Sequence, residues 1–126
     1  MNIFVDSGDY YEVNLYIGEE DGNLACVSDE KEAKKQFDDE KYETHWVRFN
    51  YPTYGTSVKI QELSFTVEDG KAVFDPLSFR ANRCFTLLKD WSFVDKNNNK
   101  VPPTRESMEK MNDVVAQTIL LELDKV

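Results

Sequence analysis

The hydrophobic period of this chain changes at Asp75-Pro76. Upstream, apolar residues alternate with polar ones; downstream, they recur every three or four residues. A period of two distributes side chains over the two faces of a strand, and a period near 3.6 gathers them on one face of a helix. Residues 1–75 therefore read as β-rich and residues 76–126 as two helices. At 126 residues and 14.7 kDa both parts fit one domain, long enough to bury a core without staples. The expected class is α+β: an antiparallel sheet of about four to six strands, then a C-terminal helical hairpin packed on one sheet face.

Within the β-rich part, Tyr11, Val13, Leu15 and Ile17 share one strand face. Glu20-Asp21-Gly22-Asn23 is turn chemistry, and Leu24 to Val27 returns as a second strand. Ser28 to Glu43 reads either as a short helix capped by Ser28, with Ala33 and Phe37 on its inner side, or as a solvated loop. Thr44 to Asn50 reads as a strand, and Tyr51 to Thr56 as a loop. Val58 to Val67 reads as one long strand with a bulge near Gln61-Glu62. Glu68-Asp69-Gly70-Lys71 is a tight hairpin turn into Ala72-Val73-Phe74.

After the switch, Asp75 can cap a helix with Pro76 at its first position. Leu77, Ala81, Cys84, Leu88 and Trp91 then line one face. Thr104 restarts a helix beyond Pro102-Pro103, with Met108, Met111, Val115, Ile119 and Leu123 as its stripe and Val114, Leu120 and Leu121 widening it.

A formal net charge of −9 argues against a non-specific nucleic-acid partner, which requires a basic footprint. No run approaches a membrane span, and the start Met1-Asn2-Ile3-Phe4-Val5-Asp6 lacks the basic and apolar regions of a signal peptide. Cys26 and Cys84 stand far apart without CxxC spacing, so a reduced, cytosolic setting is expected with both thiols packed as small apolar groups. Whether they meet is left open by spacing alone.

Asp95, Asn97, Asn99 and Glu106 occupy the first, third, fifth and twelfth places of an EF-hand-like loop. Lys100 stands where that loop requires Gly, and Pro102 and Pro103 stiffen its second half, so the run reads as an Asn-rich turn and no metal or cofactor is expected. His45 is the only histidine and reads as a strand surface residue, since a triad also needs a positioned nucleophile and an orienting acid, and no catalytic residues are assigned. The charge runs Glu19-Glu20-Asp21 and Asp38-Asp39-Glu40 read as solvated tips. Trp46, Phe49, Tyr51 and Tyr54 with Arg48 have the composition of a base-stacking platform, but their acidic flanks favour core or protein contact. Candidate partner contacts are Trp91, Phe93, Met108, Met111, Leu120 and Leu121, as large anchors, adaptable methionines and an apolar arc wider than one packed face.

The run from Leu87 through Trp91 to Asp95, followed by the Asn-rich turn and Val101-Pro102-Pro103-Thr104-Arg105-Glu106, resembles small tailed-phage proteins of the tail-assembly-chaperone type. Trp91, Asp95, Pro102, Thr104 and Glu106 carry the likeness, while Asn98-Asn99-Lys100 replaces the usual Gly of the turn. The likeness spans this C-terminal segment and leaves the sheet unaligned. It implies a non-enzymatic bacteriophage protein that binds a tail or virion protein, or further copies of itself, in the host cytoplasm or the virion. The alternatives are an acidic interaction or inhibitor protein of the phage counter-defence kind, and a small enzyme of unknown chemistry.

Overall fold

A computed structural model describes residues 3–38 and 41–126, so Asp39 and Glu40 of the acidic run, like Met1 and Asn2, lie outside the described residues. Eleven elements follow in order: β1 (Tyr10–Glu20), β2 (Asn23–Val27), α1 (Glu30–Gln36), β3 (Tyr42–Asn50), α2 (Tyr54–Glu62), β4 (Phe65–Glu68), β5 (Lys71–Phe74), α3 (Pro76–Leu87), β6 (Leu88–Trp91), α4 (Arg105–Glu109) and α5 (Asp113–Asp124). The α+β class holds. A four-stranded antiparallel sheet runs in the order β2-β1-β3-β6, and β4-β5 form a separate two-stranded ribbon. Among the described residues, no helix is long and apolar enough to cross a membrane.

Both hairpins turn on the same dipeptide. Asp21-Gly22 and Asp69-Gly70 all have positive φ, between 52° and 81°, which matches the twist of the flanking strands. Gly tolerates that backbone without strain and Asp nearly so. The sheet presents Val13, Leu15, Val47, Phe49 and Trp91 to one side, where Cys84 and Leu87 of α3, Met108 of α4, and Val115, Ile119 and Leu123 of α5 complete the core.

The opposite sheet face carries a smaller satellite. Gly18 projects there, one residue out of phase with Ile17, and the ring of Phe37, just beyond α1, lies against it. Elsewhere on that face the Arg48 guanidinium stacks 3.9 Å over the Trp46 ring and its Nε donates to Glu12 at 2.9 Å.

Four expectations are corrected. The long strand Val58–Val67 is instead α2, a turn, and β4. Thr53 and Thr56 cap that helix reciprocally, and the apparent alternation of Val58 and Ile60 conceals a helix that buries Ile60 alone. Asp29, not Ser28, caps α1; the Ser28 hydroxyl donates instead to Glu122 on α5. The first C-terminal helix ends at Leu87 and the chain passes straight into β6, so Leu88 and Trp91 belong to the sheet and Leu77 is 79% exposed. The final helix breaks at Asn112, whose side chain caps α5 by accepting from Val114 N–H at 3.0 Å. Residues 76–126 thus hold three helices and a strand where two helices were expected.

Cys26 and Cys84 are both free thiols. Cys84 is fully buried, 3.4 Å from Met108 sulfur, and burial pushes its pKa up to about 12; burial also raises that of half-buried Cys26. A thiol reagent at a pH of about 8 is therefore expected to leave Cys84 untouched and to label Cys26 slowly. In denaturant both should react at once. Rapid native labelling of two thiols, read by mass, would contradict the packing.

Candidate protein-binding surfaces

Three of the six proposed contact residues converge. Trp91 at the end of β6 and Phe93 just beyond it form one wall of a cleft of about 460 Å³, and Met111 and Val115 form the other. Ile17 and Leu24, at the far end of the β1–β2 hairpin, close its apolar lining. Trp91 is rooted by its Nε1–H, which donates to Val101 O at 2.7 Å, and its ring meets Phe93 edge-on at 5.3 Å. Met108 lies behind this wall in the core, 7% exposed. Leu120 packs at the margin of the core from α5, and Leu121 is 56% exposed away from the cleft.

A second, polar depression of about 730 Å³ borders the cleft, with Ile17, Leu24 and Glu43 common to both. Its charged lining is Glu19, Glu20, Asp21, Asp38 and Glu43 against Lys41. Glu19, Glu20, Asp21 and Asp38, from charge runs read as solvated tips, are here gathered beside the apolar cleft. The signal was a β1–β2 hairpin with acids at its tip and leucine just after it.

The fold gives His45 two polar neighbours, Glu43 two residues before it on β3 and Ser92, which is remote in sequence. Its Nε2 lies 2.9 Å from Glu43 Oε2 and its Nδ1 3.3 Å from Ser92 Oγ. In a hydrolytic triad the serine meets Nε2 and a buried acid meets Nδ1. Here the roles are exchanged and the Glu43 side chain is 80% exposed. Ser92 Oγ accepts the Trp46 N–H at 2.9 Å, tying β3 to the segment after β6. This geometry holds the imidazole against Phe93, 5.1 Å away, and so stiffens one wall of the cleft.

The EF-hand-like residues do not converge. Asp95 Oδ1 accepts the N–H groups of Asn97 and Asn99 at 2.8 and 3.0 Å, and Asn98 takes a φ of 61° in a tight turn closed by the Val94–Lys100 bridge. Lys100 pairs with Asp90 at 2.8 Å, and Glu106 faces Lys110 along α4. The described residues contain no group of three or more His, Cys, Asp or Glu able to hold a metal. The aromatic set is likewise divided: Phe49 is core, Trp46 stacks on the opposite sheet face, and Tyr54 stands 87% exposed on α2.

Sequence reasoning missed one exposed apolar surface. Every residue of β4 and β5 is exposed. On one face of this arm Phe65 pairs with Phe74 across the strands, ring centroids 5.7 Å apart, and Val67 beside them is 78% exposed. The long strand expected at Val58–Val67 gave no sign that Phe65 and Val67 stand apart from the main sheet. Comparison with family models, with curated proteins and with solved structures finds no match.

Proposed function

We propose that this chain is a non-catalytic protein working by protein–protein contact, in the assembly of a tailed-phage tail or virion within the bacterial host. The β4–β5 arm carries the contact reading. A lone two-stranded ribbon gains little stability for itself. Contiguous apolar residues on such a ribbon are most useful when a partner covers them. The setting is supported by the C-terminal segment, where Trp91, Asp95, Pro102, Thr104 and Glu106 match the tail-chaperone pattern and Thr104 caps α4 by accepting from Ser107 N–H.

The test is the double variant Phe65→Ser/Val67→Ser. Because neither residue belongs to the core, its melting temperature is expected within about 3 °C of the parent. Co-expressed with the tube and tape-measure proteins of the genome that encodes it, the parent should co-purify with one of them, and the variant should lose about tenfold or more of that yield. A parent that co-purifies with neither overturns the assembly setting.

A second reading, an acidic inhibitor, draws on the carboxylate-lined depression beside the cleft. It gains if the parent instead captures a host nuclease or sensor and high salt disrupts that complex.

A further inference from the structure

We infer that the apolar cleft and the acidic depression form one docking site, and that it takes a segment of another protein in which large apolar side chains are followed by lysines or arginines. The inference goes beyond the assembly reading, because it concerns a different surface from the arm and specifies a ligand chemistry in any setting.

The two depressions adjoin, with Ile17, Leu24 and Glu43 on the lining of both. The apolar part has room for one or two large side chains against Trp91, Phe93 and Met111. The next part of the same guest then runs past Glu19, Glu20, Asp21, Asp38 and Glu43, with Lys41 as the one cation of that lining among the described residues. Complementary charge selects the partner and speeds its arrival more than it adds affinity, while the apolar anchor supplies most of the binding energy. Lys110 stands on the lining of the apolar part. The site therefore has a polarity, basic residues toward Glu43 and Glu19, with the anchor between them and Lys110.

A second copy of this chain is disfavoured by its own charge. Its exposed apolar residues Ile3 and Val5 are followed by Asp6 and Asp9, and the whole chain carries −9. Docking that segment would set acid against acid.

The experiment is a fluorescence-anisotropy titration of the full chain with a labelled peptide, Leu-Trp-Ser-Lys-Lys-Arg. Two control peptides replace either the three basic residues with Glu or the Leu-Trp pair with Ser. The first peptide should bind saturably, each control about tenfold more weakly or worse, and binding should weaken in high salt. Glu19→Lys/Glu43→Lys alters exposed side chains and should cost about tenfold with an unchanged melting curve. Met111→Asp should abolish binding, its fold checked by the same melt.

Equal binding of the three peptides overturns the proposal. So does a charge-reversed variant that binds as tightly as the parent. A dimer seen by sedimentation and dissolved by Met111→Asp would show that the cleft takes a second copy instead.

Discussion

Replacing Trp91 with alanine is expected to lower stability by about 3–5 kcal/mol, the range for truncating a large buried aromatic. Trp91 is 1% exposed and is the largest fully buried side chain of the protein. Its ring opposes Val47 in the β3–β6 register and meets Phe93, and its indole N–H is the partner of Val101 O. Truncation opens a cavity between sheet and helices and leaves that carbonyl without its donor. Domains of this size hold about 5–15 kcal/mol in all, so the variant should be near its unfolding threshold. Chemical denaturation gives the measurement. A variant melting within a degree or two of the parent would mean that Trp91 lies at the surface. Trp91→Phe separates the two losses, because it keeps most of the packing and should cost only the hydrogen bond, about 1 kcal/mol.

The second large effect is expected at Gly18. A Cβ placed there would lie 2.6 and 2.7 Å from two Phe37 ring carbons and 3.0 Å from the Lys41 carbonyl oxygen. The difficulty is space alone, not backbone strain, since Gly18 is absent from the positive-φ glycines. Phe37 is 3% exposed and packs 5.9 Å from the Tyr42 ring, so it can clear the new atoms only by leaving its seat. Gly18→Val should therefore cost about 1–3 kcal/mol, as overpacking does. The loss should be local. Hydrogen exchange in α1 should quicken while the amides shared by β1 and β3 keep their protection. Unchanged exchange in residues 30–36 would show that α1 does not depend on the Phe37 contact.

These two positions also mark how far the sequence could be read. The alternation through Tyr11, Val13, Leu15 and Ile17 has one solution, because a shift of one residue would turn every apolar side chain to water. Asp75-Pro76 and both Asp-Gly turns were equally legible, since each depends on chemistry within a few residues. The errors arose where local pattern and tertiary context part. Val58 and Ile60 fit both periods, and only the Thr53–Thr56 cap, a short-range signal that was passed over, distinguishes them. Trp91 continued a helical stripe in sequence, yet Leu88 leaves helical geometry because β3 offers an open edge for pairing. Of the contact candidates, Trp91, Phe93 and Met111 meet because the Asn-rich turn brings Val101 back to Phe93, whose carbonyl accepts the Val101 N–H at 3.1 Å. The acidic half of the cleft was visible as charge but not as place. It is assembled from the end of β1 and its turn, from Asp38 before β3 and from Glu43 within β3, and no periodicity within one stretch reports such a gathering.

The base of the β4–β5 arm is clasped by the main chain: Asp75 N–H donates to the buried Ser64 carbonyl at 2.8 Å, and Asn82 donates to Leu63 O at 3.0 Å. Beyond that clasp no arm residue enters the core. The ten residues between Ser64 and Asp75 therefore form a cassette, held at its base and by the Phe74 ring 5.6 Å from Phe79 of α3, whose tip can vary in length and composition while the domain beneath keeps its shape. On the proposed reading, partner contact through the arm draws on residues outside the core, and a change of partner there leaves the core untouched.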